Sequence, residues 1–398
     1  MPTLPRPRSL ADWQAARWIH FNRLSRPLRW LLDCLCNCQR REGLYRCIGG
    51  MLPNKTRERL LDAILSDQGR IYIKAIARFH NAENIDQNLL TGSGEYLIDV
   101  LGAVLDAFGR SIYAREGTIA SCNEFLSRVF DYESFCKGKL IKRNGAKLYW
   151  GRDRSMRPWG TAEFIEHTGV RYCLYCNAET VYAIPKGCNS GQNEPREKYK
   201  SPIDHFLPRM WYPYFALSLS NFVPSCFRCN SSYKSTRDPV WFPRDIERAP
   251  STRGELMRFI LPHPYIDDIH SGYEIRVTYP EECRDYSLVE KSSPLSLTCD
   301  FGDSPGERHR ILIEDLLHTS QTYTKLFTPE AKIFLRRLKK LRPLYLRQLE
   351  AKFKAGCLVD LPYLLCGFHR EDDPHLYRLG KMHADMMKQF DSMIRSSP

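Results

Sequence analysis

The sequence predicts an α+β chain, with a small core stapled by four cysteines between mainly helical N- and C-terminal regions. Three observations predict it. Apolar residues recur at helical spacing before residue 158 and again after residue 305. Two Cys-x-x-Cys pairs, Cys173/Cys176 and Cys226/Cys229, enclose a strand-like stretch, Thr180-Val-Tyr-Ala-Ile184. Strand-type alternation returns at Tyr273-Glu-Ile-Arg-Val277, with Leu295-Ser-Leu-Thr298 as a second candidate.

Four regions follow in order: helical 1–158, a cysteine-bearing core at 159–245, β-rich 246–304 and helical 305–398. In the first, Leu60, Leu61, Ile64 and Leu65 suggest one helix. Leu97, Leu101, Val104, Leu105, Phe108 and Ile112 give a second an apolar face, and Gly92-Ser-Gly94 separates the two. Ile119, Cys122, Phe125, Leu126 and Val129 suggest a third. Trp159, Phe164 and Ile165 suit a short packing helix, and the polar stretch 185–201 reads as a loop. Thr328-Pro329-Glu330 has the form of a helix start: a hydroxyl cap, a proline in the first turn, then an acid near the positive end. Pro343 should end that helix. Asp373-Pro374 repeats the start signal, and Leu376, Leu379, Met386, Phe390 and Met393 then form an amphipathic face.

The charge is unbalanced: 59 Lys and Arg against 46 Asp and Glu give +13, which suits a polyanionic partner or a dispersed basic surface. The start, Met1-Pro-Thr-Leu-Pro-Arg-Pro-Arg8, has no apolar signal region, and no apolar run reaches membrane-spanning length. Fifteen cysteines, an odd number, with two close pairs, suit a reducing compartment such as the cytoplasm. Cys34, Cys36 and Cys38 match no zinc knuckle and read better as buried thiols.

Two Cys-x-x-Cys turns are what a tetrahedral four-cysteine zinc site needs, each presenting two thiolates to one ion. Here 50 residues separate Cys176 from Cys226, so something is built between the turns. That interval holds Asp204-His205 and then Asn221; Asn230 directly follows Cys229, and Lys234 comes four residues later. This order resembles the HNH endonuclease family with its ββα-metal fold, over about 70 of the 398 residues. The wording Asp-His-Phe-x-Pro and Pro-Ser-Cys-x-x-Cys-Asn resembles stand-alone bacterial HNH proteins, including nuclease subunits of Septu-like anti-phage systems.

The resemblance implies the roles. Cys173, Cys176, Cys226 and Cys229 would bind structural zinc. Asp204 and Asn230 would hold a catalytic divalent ion, Mg²⁺ or Mn²⁺, a hard cation that takes oxygen ligands. His205 would take the proton of the attacking water, its ordinary pKa lying near neutrality. Asn221 would hold the His205 ring in its useful tautomer. A strand points neighbouring residues to opposite faces, so the backbone is expected to turn between Asp204 and His205. Lys234 and Arg209 are candidate phosphate contacts. Lys339, Lys340 and Arg342 form a basic run suited to a nucleic-acid backbone or to a solvated helix face. In Trp211-Tyr-Pro-Tyr-Phe215, core packing is the default and stacking on a base the sharper alternative. His263 and His270 have no spacing that ties them to the site.

The expectation is therefore a metal-dependent nuclease acting on DNA, possible effector of an antiviral defence system, with an ATPase as a candidate partner. The rivals are an RNase using the same residues and a zinc-stabilised binding or docking protein whose site is idle.

Overall fold

The computed structural model describes residues 10–48, 52–80, 84, 86–136, 141–143, 146–148, 159–183, 200–240, 252–267, 269–270, 272–278, 295–302, 307–340 and 378–396. Helices α1 (Leu10–Asn37), α2 (Arg41–Ile48), α3 (Arg57–Leu65), α4 (Asp67–His80), α5 (Gly94–Phe108), α6 (Thr118–Val129) and α7 (Tyr132–Cys136) come first. The apolar spacing explains which faces they bury. Ser93 accepts the amide of Tyr96 and starts α5, which buries Leu97, Leu101, Val104 and Leu105. Ile112 follows in a 3₁₀ turn, Gly109–Tyr113. Helix α1 packs on α4, and α3 on α6.

A short antiparallel pair, β1 (Ile141–Arg143) and β2 (Ala146–Leu148), lies in the region expected to be helical. After α8 (Thr161–Thr168), β3 (Ile203–His205) pairs antiparallel with β4 (Phe222–Pro224), placing Asp204 opposite Val223 and His205 opposite Phe222. A π-helical turn, Arg228–Lys234, follows, then α9 (Arg253–Leu256). Among the described residues, the stretch at Thr180 forms isolated bridges, Tyr172 with Thr180 and Ala183 with Lys200, in place of the expected strand, whose last residue, Ile184, lies outside them.

The alternating stretches become β5 (Glu274–Thr278) and β6 (Ser296–Asp300), an antiparallel pair. After α10 (Glu307–Arg310), α11 (Thr319–Lys340) packs on β6, and α12 (Gly380–Ser396) on β5. A two-stranded sheet has two open edges, and side chains from these helices meet both. Asp385 accepts from the amide of Ile275, and Gln389 from Val277. On the other side Thr324 accepts from Leu297 and Ser320 from Cys299.

Helix α11 corrects the expected start at Thr328. It begins at Thr319 and runs through Pro329. Tyr323, Phe327, Ala331, Phe334 and Leu335 are buried on both sides of the proline, so burial outweighs the donor it lacks. The Thr328 hydroxyl donates to the Thr324 carbonyl in the same turn. Pro343, Asp373, Pro374 and Leu376 lie outside the described residues, as do the side chains of Phe390 and Met393. Cys34, Cys36 and Cys38 are half-buried and form no disulfide. Buried apolar side chains from Ala16 to Met387 join one hydrophobic cluster. Among the described residues, no helix is long and apolar enough to cross a membrane.

Candidate metal centre and histidine site

The two Cys-x-x-Cys turns meet. The sulfur atoms of Cys173, Cys176, Cys226 and Cys229 lie within 4.8 Å of one another, with Cys176 and Cys226 4.0 Å apart, and all four residues are buried. A tetrahedron with bonds of ~2.3 Å places sulfurs ~3.8 Å apart, so the cluster could hold a metal such as zinc. Burial holds the Cys173 thiol well above its ordinary pKa. Hydrogen bonding among the cysteines raises Cys229 and strongly lowers Cys226. The surrounding thiols therefore favour a thiolate at Cys226.

Surrounding groups fix both turns. Asn177 adopts a left-handed φ of 51° and closes the first turn by donating its amide to the Cys173 carbonyl, at 2.8 Å. His270 donates to the Leu174 carbonyl at 2.9 Å, and Tyr323 to the Cys176 carbonyl at 2.6 Å. The Asn177 side chain accepts the Lys381 amide, fastening α12 to the cluster. In the second turn, the Asn230 amide donates to the Cys226 carbonyl and the Cys229 amide to the Cys226 sulfur.

Asp204 and His205 behave as strand alternation dictates: their side chains go to separate partners, with no turn between them. Asp204, 3% exposed, accepts from the Tyr175 hydroxyl at 2.6 Å and from the Lys234 ammonium at 3.1 and 3.2 Å. Burial raises its pKa against the opposing pull of Lys234 and Tyr175. Lys234 is 1% exposed and also donates to the His205 carbonyl at 2.7 Å. This corrects the expectation of Lys234 as a phosphate contact, because its charge is committed inside the protein. The π-helical turn, with the Ser235 amide reaching the Asn230 carbonyl at 2.7 Å, carries Lys234 to that position.

The pair bears on the divalent ion that the resemblance implies. Both Asp204 oxygens are engaged, and an ammonium already lies against them. A dication on the same carboxylate would meet that like charge, so this arrangement does not fit one. Asn230 is half-buried on the π-helical turn, and no hydrogen bond of its side chain is described.

His205 is buried, and its Nε2 donates to the Ala216 carbonyl at 3.0 Å. That bond assigns the tautomer and leaves Nδ1 as the acceptor nitrogen. Tyr132 meets the ring edge-on with centroids 4.3 Å apart. Burial lowers the His205 pKa to about 3, so the ring is neutral at physiological pH rather than half-protonated. The Asn221 side chain hydrogen-bonds to the backbone rather than to the ring, correcting its expected role. It accepts the Leu207 amide at 2.7 Å and donates to the carbonyls of Leu207 and Phe215, both at 3.1 Å.

Four successive carbonyls of this loop are each held by a buried side chain. His80 takes Tyr214, Asn221 takes Phe215, His205 takes Ala216 and His20 takes Leu217. Trp159 donates to Nδ1 of His20, fixing that ring too. Burial lowers His20 and His80 to about 3.

Arg209 leaves the same loop and is exposed. Its guanidinium lies 5.2 Å over the Tyr132 ring and pairs with Glu133 at 2.8 Å. Tyr212, Tyr214 and Phe215 are core, whereas Trp211 is only half-buried. The side chains of Lys339 and Lys340 lie outside the description, and Arg342 lies outside the described residues. His263 packs on Phe206 with ring centroids 4.3 Å apart.

Sequence reasoning missed Tyr175, Tyr132, His20, His80 and the Ala216 carbonyl. Tyr175 carried a signal, an aromatic enclosed by two metal-type cysteines. The others come from distant helices or from a main-chain atom, which no local spacing marks. No family model, curated protein or solved structure matches the chain.

Proposed function

We propose that the chain is an HNH-type endonuclease that hydrolyses phosphodiester bonds, preferably in DNA, with His205 as general base. The observation that carries it is the His205 ring: Nε2 is committed to the Ala216 carbonyl, and Nδ1 keeps its lone pair. The order β3, β4 and helical turn beside a four-cysteine cluster supports the ββα-metal reading.

In this reading Nδ1 takes a proton from water, and the imidazolium that forms keeps its donation to Ala216. A phosphodiester anion facing the ring raises the proton affinity that burial depresses. Arg209, exposed on the same loop, supplies positive charge and paired donors to a phosphate. Lys234 braces the backbone at His205 through its carbonyl. The family resemblance implies 5′-phosphate and 3′-hydroxyl ends and a place among anti-phage effectors with an ATPase partner; the Mg²⁺ or Mn²⁺ it also implies does not fit Asp204 beside Lys234, and no step passes through it.

The test is purified protein with plasmid, linear and single-stranded DNA and with RNA, with Mg²⁺, with Mn²⁺ and without added ion, beside His205→Ala. Cleavage of DNA that His205→Ala loses is the expected result. Cleavage of RNA alone identifies an RNase. Binding without cleavage in every condition leaves a zinc-stabilised docking protein.

A further inference from the structure

Beside the His205 loop lies a cavity of about 430 Å³, within the range of pockets that take small ligands (about 300–1,000 Å³). Its lining brings Arg59 and Arg115 from the helical region together with Arg209, Met210 and Trp211 from the loop, and Glu124 is the carboxylate among them. Arg59 is engaged by Ser121 and Glu124. Arg115 is exposed, with Glu116 next to it in the chain, and among the described residues no ion pair of Arg115 is seen. Met210 is 53% exposed, and Trp211 packs edge-on against Tyr113 at 6.0 Å between centroids.

Arg59 and Arg209 are paired with Glu124 and Glu133, so three guanidinium groups stand against two carboxylates and Arg115 supplies the excess positive charge that would select an anion. A half-buried indole beside them offers a flat apolar surface. A nucleoside phosphate unites those two demands. Through Arg209 and the Tyr132 ring, the cavity adjoins His205. We infer that this cavity seats one nucleotide of a single nucleic-acid strand, with phosphates on Arg115 and Arg209 and the base against Trp211. The volume is too small for a duplex, so a single strand or an unpaired stretch is what enters. The choice of ligand rests on the nuclease reading; the binding does not need cleavage.

The test measures anisotropy of fluorescein-labelled dT12 and U12 with the full-length His205→Ala protein, so that nothing is cut. Arg115→Glu is compared with Arg258→Glu, an exposed arginine outside the lining. Arg115→Glu should weaken binding at least ten-fold more than Arg258→Glu and reduce the salt slope by about one. Tryptophan fluorescence should be quenched by the strand, and the quench should disappear in Trp211→Phe. No binding of either strand, equal effects of the two arginine variants, or an unchanged quench each overturns the inference. Binding of dAMP without binding of dT12 or U12 overturns it too. Lost cavity binding with intact cutting by the wild type sinks the cavity alone; intact binding with no cutting sinks the nuclease reading alone.

Discussion

Lys234 and Asp204 form a charge pair almost wholly out of water, and Tyr175 completes it. Removing one member of such a pair strands the other. Lys234→Met should cost about 3–5 kcal/mol in urea denaturation. Lys234→Met with Asp204→Asn should recover most of it, since the amide can still accept from Tyr175. Equal losses in single and double variants would refute the coupling. His205→Ala should keep metal content and strand affinity while losing about 10²–10⁴-fold in cleavage rate, the usual contribution of a positioned acid–base group. Normal cutting by that variant would remove His205 from the mechanism. Asn221→Ala should lower stability as well as rate, because its buried amide holds three backbone groups rather than the ring.

At the scale of elements, the two cysteine turns should act as one. Metal analysis should find one zinc per chain, and Cys226→Ala should lower both zinc content and melting temperature. Zinc-free protein that melts normally would refute the cluster as a metal site. This part was legible in the sequence, because a metal knuckle is set by local spacing. The faces of α3, α5 and α6 were legible for the same reason, and the strands β5 and β6 were legible from alternation, though not their pairing. The start of α11 lies nine residues before the local start signal at Thr328-Pro329, because a buried stripe from Tyr323 to Leu335 carries the helix through it. The partners of Asp204, His205 and Asn221 were not legible. They depend on a burial pattern assembled from α1, α4 and α7, none of which has a fixed spacing to the motif, and on a π-helical turn of the motif's own last residues that no spacing announces.

Across the whole molecule, burial of neutral histidines sets the response to acid. His20, His80, His205 and His263 are each lowered to about 3, against about 6.5 in an unfolded chain. Below pH about 6.5 the unfolded chain binds protons that the folded one refuses. Stability is therefore lost as pH falls from about 6.5 towards 3, by up to about 1.4 kcal/mol per pH unit for each histidine. Asp238, raised by burial to about 6, acts with the opposite sign: it retains its proton longer in the folded state, so its contribution falls as pH rises through that value. Burial raises Asp204 and Asp385 in the same sense, but the four histidines outweigh these three carboxyls, and urea midpoints should drop between pH 7 and pH 5. A flat profile would contradict the buried, neutral rings. The net charge of +13 belongs to this scale as well. If it serves a nucleic acid, affinity should decline steeply with salt, and a shallow decline would return those charges to solubility.

The row of four held carbonyls, Tyr214 to Leu217, has one more consequence. Each bond alone is ordinary, but the peptide groups are consecutive, so none can rotate far without disturbing its neighbours. Such a segment has no stepwise route to opening. Its amides and the imidazole N–H protons of His20, His80 and His205 should trade deuterium through a single shared event, at one free energy, rather than fraying from either end.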